Sequence, residues 1–291
     1  SASTGATLTI DPKPLTATGL TANAKPYDGS TAANLSLGTA FTDQIAAGDR
    51  ANIEVVGSFG SKNVGDNQVV SLALNGSRAF NYVLSGSVTA DITPLDSATW
   101  VGGTTGQWFD PNNWAPTANL AVRGVVPELA NVANVVIPGN NTVTFDAAGD
   151  PVSLVSLTGG SLILANGSLN ASGSVLLDGL TVQANGSLTA GSLTVGGATS
   201  LAANLTTTGA QTFNGAVTLL GDITLGGGSL TLNNTVDGAF GLTLNSAGLT
   251  TIAGAMGSGT ALTSVTSTGG GTTNLQGQIT AVDSINLTDF L

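Results

Sequence analysis

Apolar and polar residues alternate along most of this chain with a period of two, and the repeats are short. From Leu154 to Leu287, pieces such as Ser161-Leu-Ile-Leu164, Ser174-Val-Leu-Leu177, Leu193-Thr-Val195, Ala216-Val-Thr-Leu219, Ser229-Leu-Thr-Leu232 and Leu242-Thr-Leu244 recur between Gly, Asn and Ser. β-Branched and aliphatic residues flanked by turn formers predict strands of three to five residues. No window carries the i, i+3, i+4, i+7 stripe of an amphipathic helix. The pieces also repeat: Asn166-Gly-Ser-Leu169 returns as Asn185-Gly-Ser-Leu188, and Gly173-Ser-Val-Leu-Leu177 returns as Gly191-Ser-Leu-Thr-Val195 at nearly the same spacing. A fixed period of strands and tight turns without a helix points to a parallel β-helix, one coil per period. One coil cannot bury its apolar side alone. Coils stacked at about 4.8 Å bury a continuous column of Leu, Val and Ala, and about seven coils would fit. A sandwich of short antiparallel strands is the alternative for this region.

Residues 1 to 95 read differently. Alternating strands are expected at Ala6–Ile10, Ile53–Val56, Gln68–Leu74, Tyr82–Leu84 and Ser87–Ile92, separated by Gly, Asn and Pro turns. That pattern predicts an antiparallel β-sandwich. Residues 96–150 form a junction holding all three tryptophans, Trp100, Trp108 and Trp114. The open end of a β-helix exposes its apolar column, and large aromatics just before the first coil are suited to capping it. An aromatic sugar-binding patch is the rival reading of the same three residues.

Composition narrows the classes of function. Of 291 residues only 8% are charged, yet 41% are apolar, so the chain is not disordered. A net charge of −11 disfavours nucleic acid and anionic membrane as partners. All six basic residues lie at or before Arg123, so the longer, C-terminal part of the chain cannot clamp phosphate or sulfate groups through Lys or Arg. Without cysteine, stability is expected from stacked coils instead of disulfides. No apolar run reaches the roughly 18 residues needed to span a bilayer. The chain opens on Ser1-Ala-Ser-Thr without a signal-like segment and ends on Asp289-Phe-Leu291 without a turn, which we read as a piece of a longer chain.

The rarer residues carry three resemblances. Ile10-Asp-Pro-Lys-Pro-Leu-Thr16, Lys25-Pro-Tyr-Asp-Gly-Ser-Thr31, Ala47-Gly-Asp49, Gly57-Ser-Phe-Gly-Ser-Lys-Asn-Val-Gly65, Asn81-Tyr82 and Ala90-Asp-Ile-Thr-Pro94 resemble, in order, the YDG domain. That resemblance implies an Ig-like β-sandwich of the kind found in tandem in bacterial surface adhesins. Ile10-x-Pro12 and its echo Ile92-x-Pro94, about one module further on, fit a tandem arrangement. Trp100-Val-Gly-Gly103, Gly106-Gln-Trp108-Phe-Asp110, Asn112-Asn-Trp114, Pro127 and Ala133-Asn-Val-Val-Ile137 resemble the segment that opens β-helical passengers of autotransporter-like exoproteins. Where that segment usually has an acidic pair, this chain has Asn131 and Asn134, which removes a carboxylate cation site. Gln211–Leu219, Asp222–Leu225, Thr235–Asn245, Gly254–Gly257 and Thr260–Ser264 are similar to the repeats of filamentous-haemagglutinin-type adhesins. This implies a right-handed parallel β-helix, two-partner secretion through an outer-membrane partner, and an extracellular or cell-surface location.

Candidate chemistry is sparse. With neither His nor Cys, Ser-His-Asp, Cys-His and imidazole-metal sites are excluded. The closest acids of the tail, Asp146 and Asp150, read as a loop before the first coils, and nothing in their spacing demands a catalytic pair. We expect no catalytic residue, no cofactor and no metal; Asp43 with Asp49, and Asp110 with Asn112 and Asn113, are oxygen-bearing loops and nothing more. Tyr27-Asp28-Gly29 offers a loop and an aromatic platform, but Asp-Gly as turn and Tyr27 as core edge is the simpler reading. Asn-x-Ser/Thr sequons at Asn34, Asn75, Asn140, Asn166, Asn170, Asn185, Asn204, Asn233 and Asn286 are open to glycosylation or serve turns and Asn ladders. Thr206–Thr208 and Thr272-Thr273 hint at a threonine array, though no Thr-x-Thr recurs at the coil period.

The expectation is therefore an all-β protein: a YDG-type module (1–95), a Trp-rich cap (96–150) and a parallel β-helix (151–291). Its expected role is a non-catalytic structural and adhesive segment, with the host-cell or glycan receptor unnamed. The alternative is a filament subunit that associates head to tail through its ends.

Overall fold

The computed structural model describes residues 11–147 and 149–288. The strand expected at Ala6–Ile10, and Asp289, Phe290 and Leu291, lie outside the described residues. The chain divides into two compact units, with the boundary between Thr93 and Pro94.

In the first unit a five-stranded sheet runs in the order Lys25–Pro26, Ser87–Thr93, Gly65–Asn75, Glu54–Phe59, Ala32–Ala33. Glu54–Phe59, Gly65–Asn75 and Ser87–Thr93 pair antiparallel, as their period-two pattern requires. Two pairings depart from the all-antiparallel expectation. Lys25–Pro26 runs parallel to Ser87–Thr93, and Lys13–Thr16 runs parallel to Tyr82–Ser85. Parallel partners need long connections between them. Here each pair joins the start of the unit to its end, which no local pattern announces. Leu15, Leu20, Phe41, Ile45 and Tyr82 form a buried cluster beneath these strands. Phe41 reaches it from the short helix Thr39–Thr42.

The second unit is a parallel β-solenoid of about eight turns, a single sheet of 21 strands wound on itself. The pairings are parallel throughout except one, Leu95–Trp100 with Trp114–Pro116. One inward column can be followed from pair to pair: Ala98, Val135, Leu157, Val175, Leu193, Gln211, Leu230, Thr250, Thr273. A second runs Leu177, Val195, Phe213, Leu232, Ile252, Leu275. Each fully buried Leu or Val contributes about 1.5–3 kcal/mol, so these columns hold the coils together. The repeats seen in the sequence are the stacking register: Asn166-Gly-Ser-Leu169 lies residue for residue on Asn185-Gly-Ser-Leu188. The coils begin at Leu95, well before residue 151, so residues 96–150 belong to the solenoid's first turns. No helix among the described residues is long and apolar enough to cross a membrane.

Candidate functional site

Tyr27, Asp28 and Gly29 form the turn that leaves the edge strand Lys25–Pro26. Tyr27 is buried, 1% exposed, and its N–H donates to the Thr93 carbonyl at 2.8 Å. Gly29 has φ +76°, which a side chain would strain. The Lys25 ammonium donates to both Asp28 oxygens at 2.8 and 3.0 Å and to the Ser30 carbonyl at 2.9 Å. The Ser30 N–H and hydroxyl each donate to Asp28 Oδ1 at 2.9 Å. Burial pushes the Asp28 carboxyl up, but the Lys25 hydrogen bond and the two donors of Ser30 outweigh it, so the group lies below the ordinary carboxylate value. Lys25 also sits 5.5 Å over the Phe59 ring. The motif is thus a clasp that closes the edge of the sheet, and its aromatic ring is not available to stack a ligand.

Residues 11–90 match the family model of the YDG domain. The clasp accordingly lies inside a YDG domain that makes up the first unit, and the solenoid follows it. No curated protein and no solved structure matches the chain.

The three tryptophans lie inside the first turn of the solenoid, each at most 2% exposed. Trp100 and Trp114 meet edge to face at 5.2 Å, Trp108 and Trp114 at 4.9 Å, and Trp108 and Phe145 at 5.3 Å. Each indole N–H finds a backbone carbonyl: Trp100 that of Gly103 at 2.7 Å, Trp108 that of Pro127 at 2.7 Å, Trp114 that of Trp108 at 2.5 Å. These rings fill the core of the first coil and leave no face for a sugar. Asn134 donates to the Asp96 carbonyl and accepts from the Ser156 hydroxyl, so it links coils.

The oxygen-bearing loops make local contacts. Asp110 Oδ1 accepts from the Asn112 backbone and amide at 2.9 and 3.0 Å, and Asn113 donates to the Gln107 carbonyl. Asp43 pairs with Arg50 at 3.0 Å. Asp49 accepts from the Tyr82 hydroxyl at 3.0 Å and lies 3.8 Å from Arg78. Among the described residues no three acids cluster to hold a metal. Asp146 closes the strand Thr142–Asp146 and pairs with Asn166, so it belongs to a coil and not to a loop.

Sequon asparagines serve more than one role. Asn170 accepts from the Thr189 hydroxyl at 2.6 Å, Asn204 from the Thr224 N–H at 2.7 Å, and Asn233 donates to Asn214 at 2.8 Å. These bridge successive coils. Asn75, which ends the strand Gly65–Asn75, and Asn140, in a turn, are exposed. Thr207 and Thr273 point inward, 7% and 1% exposed, which divides the threonine runs between core and surface. A threonine rank does exist elsewhere: Thr194, Thr212, Thr231 and Thr251 stack in register on the outer face. Sequence reasoning missed it because the steps from one threonine to the next are unequal, each coil being slightly longer than the last. It also passed over Phe80, an aromatic in the turn segment Ala79–Asn81 that is 71% exposed.

Proposed function

We propose that this chain is a non-catalytic structural and adhesive segment of a large extracellular bacterial surface protein, in which the solenoid is a stalk and the YDG domain an appended module. The supporting observation is the unbroken inward column from Ala98 to Thr273. At about 4.8 Å per step, its eight steps span roughly 40 Å of stiff, continuously paired backbone. Few charges and no cysteine fit passage across an outer membrane in an unfolded state through a dedicated secretion partner, followed by folding outside. The receptor would be a host-cell or glycan structure.

A second reading, a self-associating filament subunit, rests on the last described strand, Ala281–Leu287. Ile285 stacks on Val265, yet Val265 is 0% exposed and Ile285 is 49% exposed. The free edge of this strand would accept another coil, from a continuing chain or from a second copy. On the first coil, Trp114–Pro116 lies antiparallel along Leu95–Trp100 and covers the edge of that strand. Head-to-tail joining on that face of the solenoid would require Trp114–Pro116 to be displaced, which favours the stalk.

Size-exclusion chromatography and negative-stain microscopy across a concentration series separate the two. Discrete particles of constant size support the stalk. Filaments that lengthen with concentration would replace it with the subunit reading.

A further inference from the structure

Of the aromatic side chains among the described residues, Phe80 alone stands exposed. It does not lie on a bare surface. Phe80 forms the rim of a depression of about 440 Å³ lined also by Asp11, Lys13, Asp49, Asn81 and Tyr82. That volume falls within the range of small-ligand sites, and it suits one or two sugar rings.

The polar groups around the ring are held in place from behind. The Ala46 N–H donates to the Tyr82 hydroxyl at 3.1 Å, and the hydroxyl donates to Asp49 Oδ2 at 3.0 Å. This fixes one carboxylate oxygen and leaves Oδ1 with the longer 3.8 Å approach of Arg78. The Lys13 ammonium is turned to the Gln44 carbonyl. What faces the depression is then a flat apolar ring beside carboxylate and amide groups. Carboxylates accept hydrogen bonds from hydroxyl groups and repel anions. A pyranose presents both features at once, a face of C–H groups for the ring and hydroxyls at its edge.

We propose that Phe80, Asp49 and Asn81 form a binding site for an uncharged saccharide, with the C–H face of one sugar on Phe80 and its hydroxyls on Asp49 and Asn81. Asp11 and Asp49 supply hydrogen-bond acceptors for sugar hydroxyls. The site stands on its own geometry and supplies a ligand class for the adhesive reading; a stalk without it remains a stalk.

The test is saturation-transfer-difference NMR on the whole chain with methyl β-galactoside and methyl β-glucoside as probes. Monosaccharide affinity at a single exposed ring is expected in the millimolar range, which this method reads. Transfer to the sugar C–H protons is expected for at least one probe, lost at least fivefold in Phe80→Ala and retained in Phe80→Trp. Because Phe80 is exposed, Phe80→Ala should leave the melting curve unchanged, which separates lost binding from lost folding. No transfer to either probe, or equal transfer in Phe80→Ala, overturns the proposal. Neither result bears on the particle-size measurement that tests the stalk.

Discussion

Gln211 stands in the inward column between Leu193 and Leu230, and its Nε2 donates to the Gly226 carbonyl at 2.6 Å. A fully buried amide in a column of aliphatic side chains is a local conflict. Its second contact, to the Leu205 carbonyl, is 3.3 Å, and its own Oε1 has no partner among the described residues. An unpaired buried acceptor costs about 1–3 kcal/mol, whereas one hydrogen bond contributes about 1 kcal/mol. Gln211→Leu is therefore expected to stabilise the solenoid by about 1 kcal/mol, read as a higher urea midpoint with an unchanged slope. A lower midpoint would mean that the bond to Gly226 outweighs the orphaned oxygen.

The corner glycines test how closely the coils approach. A methyl group at Gly215 would lie 2.1 Å from the Gly197 carbonyl oxygen, and one at Gly254 would lie 2.0 Å from that of Asn234. The obstruction is backbone, which cannot swing aside. Gly215→Ala should cost about 1–3 kcal/mol through overpacking. Gly149→Ala, where nothing lies within 4 Å, is the control and should be nearly neutral. Denaturant titration of the two variants side by side gives the comparison.

The indoles of the first turn should matter to the whole solenoid, since each coil leans on its neighbour. Trp108→Ala removes two ring contacts and leaves the Pro127 carbonyl without its indole partner. A loss of about 3–5 kcal/mol is expected. Hydrogen exchange should show the effect largest in Val132–Val136 and Thr142–Asp146 and fading in later coils. A uniform loss across all coils would show instead that the solenoid unfolds as one unit.

The clasp at Lys25 and Asp28 predicts a pH response. Asp28 has a carboxyl held below the ordinary value of 3.8 in the fold, so its stabilisation is fully present above that value and is lost as the pH falls through the lower, folded one. Asp28 is 48% exposed and solvent screens the pair, so its contribution is at most about 1 kcal/mol. Lys25 is only 10% exposed, however, and Asp28→Ala would leave its ammonium with the neutral oxygens of Ser30 and no carboxylate. Asp28→Ala should therefore destabilise the first unit near neutral pH more than Lys25→Met does. Thermal melts of both variants at neutral pH and in acid, below the folded value of Asp28, check this. The difference between parent and Asp28→Ala should shrink in acid.

Much of the solenoid was legible because one short period repeats: the return of Asn166-Gly-Ser-Leu169 as Asn185-Gly-Ser-Leu188 is the physical stacking of two coils. The segment 96–150 was harder to place. Its coils are long and irregular, the step from Ala98 to its partner Val135 being far longer than the step from Leu193 to Gln211. No period could therefore show that the tryptophans lie within a turn instead of before one. Likewise Asp146 looked like a loop residue because Ala-Ala-Gly-Asp-Pro follows it in sequence, yet it ends a strand and pairs with Asn166 across a bulge.

The sequence by itself determined the all-β class, the coil period, the inward Leu and Val positions and the Asp-Gly turn of the clasp, because these follow from period-two patterning and from local backbone preference. Only the tertiary structure decided which polar residues are spent on the fold and which face solvent. The sequence offers a ligand platform only as the rival reading of Tyr27 and Trp108 and singles out nothing at Phe80, yet the first two are buried and Phe80 is 71% exposed. Exposure of an aromatic ring depends on what packs over it from distant parts of the chain, and a local pattern does not encode that.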